Sequence, residues 1–171
     1  IRIKPILTYH YSVLIYQTFT ENRMRRDIKI AMIGGGRVAK HHCRMMAQVP
    51  EVSLAAICEL REDRGKPLAK EYDVPYFSNY HNMLSEIPDI DIVTIATPSG
   101  MHLEHTKEII DLYEKNIVIE KPTFMRPEQM RYAYDLAKAR GCKIFPVYQN
   151  RYNQAVRCVR KAIEEKELGE K

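Results

Sequence analysis

The chain lacks a disulfide framework: its four cysteines, Cys43, Cys58, Cys142 and Cys158, stand far apart, with no C-x-x-C pair. That usage excludes a stapled secreted scaffold and suits buried, inert thiols in a reducing, cytoplasmic compartment. No apolar run approaches the roughly 20 residues that cross a bilayer, so no membrane association is expected. Repeats and low-complexity tracts are missing as well.

Charge of one sign is scarce in the body of the chain. The formal net charge is +5, but residues 1–26 hold five basic residues and one acid, and the remainder balances 22 basic against 21 acidic residues. A nearly neutral body lacks the basic stripe that tracks phosphates, which argues against nucleic acid as a partner. With 171 residues, 45% of them hydrophobic and 29% charged, the composition is that of a soluble domain with flanking pieces.

Residues 1–26 do not fit the pattern that follows them. Their apolar patch, "YSVLIY", is short for a signal-peptide core, and no small-residue cleavage site succeeds it. An N-terminal appendage or upstream translation is expected there, rather than a targeting signal.

From Ile28 onward, short β-branched runs alternate with longer amphipathic stretches, the order of βαβ units. Strands are expected at 28–33, 52–58, around "VPYF", at 91–97, 116–119 and in "KIFPVY". Helices are expected at 37–48, 61–72 with a break or bend at Pro67, near 82–86, at 102–115, at 127–140 closing before Gly141, and from about 154 to 166. Together they predict an α/β fold with a doubly wound parallel sheet.

Two chemical signals sit on this frame. Directly after the first expected strand, Gly34-x-Gly36-x-x-Ala39 opens a helix. The first glycine permits a tight turn, the second lets backbone amides approach a pyrophosphate, and the third small residue lets helix and strand pack. Arg37 and Val38 fall in the first turn, where the helix dipole favours an anion. Glu59 follows Ala39 by 20 residues, at the end of the second strand, placed to accept hydrogen bonds from a ribose. The carboxylate would repel a 2′-phosphate, so NAD is expected over NADP, although Arg61 and Arg64 nearby would suit such a phosphate. The adjacent His41 and His42 point about 100° apart on a helix and have no accompanying carboxylate cluster, so no metal is expected.

The second signal is the polar mouth of later strands. "DIVTIAT" ends in Thr97-Pro98-Ser99-Gly100, and "NIVIE" ends in Glu120-Lys121-Pro122. Ligands of parallel sheets collect outside the carboxyl ends of the strands, so an ammonium delivered there faces cofactor and substrate. Lys121 would hold a substrate hydroxyl and lower its pKa as a hydride leaves; a bare strand-end Glu-Lys pair would merely be solvated.

With these residues in hand, the sequence resembles the glucose-fructose oxidoreductase and inositol dehydrogenase family (Gfo/Idh/MocA). The likeness rests on G-G-G-R-V-A-K-H-H at 34–42, Glu59, T-P-S-G-M-H at 97–102 and E-K-P at 120–122, and it covers about residues 27–171. The resemblance implies an NAD(P)-binding Rossmann domain at 27–148, with 149–171 beginning a linker helix to a substrate and oligomerisation domain beyond this chain. It implies a homo-oligomeric enzyme that moves a hydride between a sugar or cyclitol carbinol and nicotinamide. Lys121 would be the proton-relay lysine; Pro122 would seat the nicotinamide; Thr97, Pro98, His102 and Glu120 would line the cofactor cleft.

"QNRYN", Gln149 to Asn153, is similar to the segment of members that oxidise C3 of nucleotide-linked N-acetylated sugars or their uronates, where Asn150, Arg151, Tyr152 and Asn153 would meet substrate. Those residues would equally serve to cap the last helix, with Asn153 as N-cap. The family's second catalytic residue, a histidine in an Asp-x-x-x-His helix, is not within the chain, so the chain alone is expected to bind cofactor with little turnover. Two further readings stay open: a non-catalytic dinucleotide-binding module or redox sensor, and a Rossmann-like scaffold with an empty cleft.

Overall fold

The computed structural model describes residues 27–167 and 169; the expected appendage at 1–26 lies outside the described residues. Six strands, β1 (Ile28–Ile33), β2 (Val52–Cys58), β3 (Tyr76–Phe77), β4 (Ile92–Ile95), β5 (Asn116–Ile119) and β6 (Ile144–Pro146), form one sheet in the order β3-β2-β1-β4-β5-β6. Every pairing is parallel. The α/β reading with a doubly wound sheet holds. Order reverses between β1 and β4, the position at which such sheets open a crevice.

Helices α1 (Arg37–Met46), α2 (Glu62–Glu71), α3 (Tyr80–Glu86), α4 (His102–Tyr113), α5 (Pro127–Ala139) and α6 (Gln154–Glu164) connect or follow the strands. Strand alternation explains why two faces are covered. Ile30 and Met32 turn toward Ala39, Cys43 and Met46 of α1 and Leu68 and Ala69 of α2. Ala31 and Ile33 turn the other way, toward Met83 and Leu84 of α3, Ile109 and Ile110 of α4, and Ala133 and Ala137 of α5. Burying each of these larger side chains contributes about 1.5–3 kcal/mol against chain entropy. Burial also pushes the Cys43 and Cys58 thiols up to about 12, so both act as apolar packing groups.

One expectation is narrowed and another corrected. α2 runs through Pro67 from Glu62 to Glu71 without a break. Proline there forfeits a single N–H partner, and Leu68 and Ala69 on the same stretch are anchored in the core. The strand expected at 91–97 pairs only over Ile92–Ile95, because the chain leaves the ladder once the Ala96 N–H has bonded to the Ile33 carbonyl. Among the described residues, no helix is long and apolar enough to cross a membrane.

Candidate functional site

The register brings the carboxyl ends of five strands into line. Ile33 pairs with Cys58 and Ile95, Ile95 with Ile119, and Ile119 with Pro146. The residues that follow, Gly34, Glu59, Ala96, Glu120 and Val147, leave the sheet at a common edge.

Gly34 occupies the switch between β1 and β4. Its φ is +115°, and a Cβ built there would lie 2.6 Å from the Ala96 carbonyl oxygen, so both backbone conformation and space require glycine. Its N–H bonds to the Cys58 carbonyl at 2.8 Å, which ties the turn to β2 as well. Gly36 differs: a Cβ there meets nothing within 4 Å. Here the absence of a side chain leaves room for a ligand to reach the backbone. Ala39 is fully buried against the sheet, while Arg37 and Val38 are exposed in the first turn.

α1 begins with no side-chain cap and no acid in its first turn. Its leading amides and positive dipole end therefore carry no capping side chain of the helix's own. Glu59 Oε2 accepts the Gly35 N–H at 2.5 Å, and Oε1 accepts the Arg61 N–H at 2.9 Å. This fits a dinucleotide: open amides for a pyrophosphate, and a positioned carboxylate that can accept from ribose hydroxyls. The Arg61 guanidinium is bound by both oxygens of Asp63, at 3.1 and 2.7 Å, so it is already engaged. Tyr76, which the sequence did not single out, donates its hydroxyl to the Glu59 carbonyl at 2.8 Å across a space that only Gly65 leaves open.

At the other end of the edge, an open cleft of about 610 Å³ is lined by Lys121, Pro122, Tyr148, Asn150 and Arg151, among others. Lys121 is exposed to it, and the Arg151 guanidinium lies 5.9 Å from the Tyr148 ring centroid. The cleft thus brings an ammonium, a guanidinium and an amide together over an aromatic and a proline. Tyr152 and Asn153 do not line it. The Asn153 side chain instead accepts the Ala155 N–H at 2.9 Å, serving as the N-cap of α6.

Two residues expected to line the cofactor cleft make contacts within the protein. His102 is 1% exposed. Its Nδ1 lies 3.0 Å from the Pro122 carbonyl and 3.2 Å from that of Thr123, and its Nε2 lies 3.0 Å from the Thr97 carbonyl. It therefore braces the Thr97 and Pro122 turns against each other from behind. Glu120, expected to face the crevice beside Lys121, instead meets His42 Nε2 through Oε1 at 2.7 Å and accepts the Lys121 N–H through Oε2 at 3.1 Å. A half-buried carboxylate needs such partners. Burial pushes its pKa upward, but the hydrogen bonds from His42 and from the Lys121 backbone outweigh this and hold it below the usual carboxylate value.

Thr97 remains at the edge, half-buried, with its hydroxyl 3.1 Å from His105 Nδ1, and Pro98 beside it is exposed. Burial lowers the His105 pKa, so the neutral ring supports Thr97. Neither His42 nor His105 was legible as a site residue, since their partners are distant in the chain or lie across a helix. Among the described residues, no three His, Cys, Asp or Glu side chains cluster as a metal site would need.

Comparison with known proteins places this geometry. The chain is 28% identical over 145 residues to the D-glucoside 3-dehydrogenase of Escherichia coli (strain K12), covering 84% of this chain and 41% of that protein. It is 26% identical over 149 residues to the scyllo-inositol 2-dehydrogenase (NAD(+)) of Bacillus subtilis (strain 168), covering 85% and 43% respectively. Among solved structures, the WlbA dehydrogenase from Bordetella pertussis, in complex with NADH and UDP-GlcNAcA, superposes with a TM-score of 0.77 at 30% identity, over 82% of this chain and 43% of that one. The chain thus spans less than half the length of these relatives. The family model described as an oxidoreductase family with an NAD-binding Rossmann fold matches residues 28–148. That is well over half of the sequence, and the chain belongs to the Gfo/Idh/MocA oxidoreductases as their NAD-binding Rossmann domain.

Proposed function

We propose that the protein carrying this chain is an NAD-dependent oxidoreductase that moves a hydride between nicotinamide and a carbinol carbon, C3, of a nucleotide-linked N-acetyl sugar or its uronate. The observation that carries this reading is the shared sheet edge: Lys121 stands in an open cleft with Asn150 and Arg151, at the same edge as the glycine turn and Glu59. Residues 27–148 are the dinucleotide domain in this reading, and 149–171 lead toward a substrate domain that also joins the subunits of a cytoplasmic homo-oligomer.

Open amides of the first turn of α1, with Gly34, Gly36, Arg37, Val38 and Ala39, hold the pyrophosphate, and Glu59 holds a ribose. Thr97, Pro98 and Pro122 shape the floor beneath the nicotinamide. The dinucleotide, when bound, supplies the hydride acceptor. Lys121 Nζ donates a hydrogen bond to the substrate hydroxyl oxygen, stabilises the negative charge that grows there as the C–H bond breaks, and relays the hydroxyl proton to solvent. Arg151 favours a substrate bearing an anionic group, which a uronate or a nucleotide diphosphate provides and a cyclitol does not.

The test is NADH formation by the full-length product of the coding frame, assayed with UDP-N-acetylglucosamine uronate, simple glucosides and inositols. Turnover is expected with the nucleotide sugar, and Lys121→Met is expected to abolish it while leaving NADH binding intact. Turnover of inositols alone would replace the sugar with a cyclitol. Tight NADH binding with no turnover of any of these would leave a dinucleotide-binding module or redox sensor. The 171-residue chain assayed alone is expected to bind NADH with little turnover.

A further inference from the structure

We propose that His42 is a positioning residue for Lys121, acting through Glu120, so that the helix opening the cofactor site and the lysine of the substrate cleft share one hydrogen-bonded frame. This rests on the role given to Lys121 above. Three observations carry it. His42 is 5% exposed on α1, the helix whose first turn faces the crevice, and it reaches across 78 residues to Glu120 at the end of β5. Glu120 divides its two oxygens, one to His42 at 2.7 Å and one to the Lys121 N–H at 3.1 Å. Lys121 itself is exposed, and its N–H is bound by the Glu120 carboxylate.

The chemistry fixes the direction of the link. Glu120 is held below the usual carboxylate pKa and is therefore an acceptor only, so His42 Nε2 carries the hydrogen. A rotation of Glu120 away from His42 releases the Lys121 N–H in the same motion, because a single planar carboxylate serves both. A displacement of α1 would reach Lys121 through these two contacts.

The link is testable in this chain by competitive acetylation of Lys121 with acetic anhydride, quantified by peptide mass spectrometry with and without saturating NADH, alongside NADH affinity by fluorescence. His42→Gln keeps an N–H donor where Nε2 stands, whereas His42→Asn places its amide nearer Nδ1 and falls short of Glu120. NADH is expected to protect Lys121 in the wild type and in His42→Gln to within about twofold. In His42→Asn protection is expected to fall about fivefold, an ordinary coupling for one hydrogen-bonded network, while NADH affinity stays within about threefold.

Unchanged protection in His42→Asn overturns the proposal. Equal loss in the Gln and Asn variants also overturns it, since a merely structural imidazole would behave that way. Should His42→Asn fail to unfold cooperatively, Glu120→Met tests the same link with the imidazole in place, because it removes the acceptors of both the His42 ring and the Lys121 N–H; protection there equal to wild type overturns the proposal too. If NADH binds the wild type and leaves Lys121 unprotected, the placement of Lys121 beside nicotinamide falls first, an outcome distinct from the other three.

Discussion

The glycine corner and the lysine corner lie on one sheet edge, yet they are built on opposite principles. At the first, Gly34 is buried, its missing side chain is sterically demanded by the Ala96 carbonyl, and Ala39 is sealed against the strands. At the second, Lys121, Tyr148, Asn150 and Arg151 are exposed, and α6 beyond them buries no residue. A phosphate is gripped by backbone amides, which the packed sheet can hold rigid by itself. The proposed chemistry at a carbinol needs side-chain ends that reach a ligand, and Lys121, Asn150 and Arg151 would supply them. The difference teaches that the glycine turn is fixed by the core of the domain, whereas the side chains of the lysine corner are set on its surface.

Gly34→Ala should break the first corner outright. The added methyl would meet a backbone oxygen at 2.6 Å in a conformation that L-residues avoid, so stability should fall by about 3 kcal/mol or more, read as a lower urea midpoint. An unchanged midpoint would mean that the turn is not held by the sheet. Gly36→Ala sharpens the contrast within the same motif. Its methyl enters empty space, so stability should stay within about 0.5 kcal/mol. NADH should nevertheless bind about tenfold more weakly, a loss of about 1.4 kcal/mol, because the methyl occupies the approach to the pyrophosphate. The smallest effect belongs to the second corner: Val159→Asp on α6, at a side chain 53% exposed, should shift the urea midpoint by no more than about 0.5 kcal/mol in stability. A larger loss would mean that α6 is part of the core after all.

Much of this was legible in the chain. Periodicity located every strand and helix of the sheet to within a few residues, because each apolar face must meet the core at its own repeat. Gly34, Gly36 and Ala39 could be ranked as turn, approach and packing positions from spacing alone, and the structure gives each that surrounding. Pro67 does not break its helix, since Leu68 and Ala69 beside it are anchored in the core. His102 and Glu120 were expected at the cofactor cleft, and the partners they meet were not foreseen. Both are polar residues at strand or helix ends, where exposure is the usual state, and nothing nearby in sequence announces that Pro122 and Thr123 carbonyls or the His42 ring will enclose them.

The sequence by itself determined the order of elements, the parallel sheet they compose and the glycine turn at its switch point, since these follow from local geometry and repeat. Only the tertiary structure decided which member of the Glu120-Lys121 pair faces the cleft. A carboxylate stays half-buried when a donor meets it, and that donor, His42, is 78 residues away. Lys121 has no such enclosure and is left at the surface.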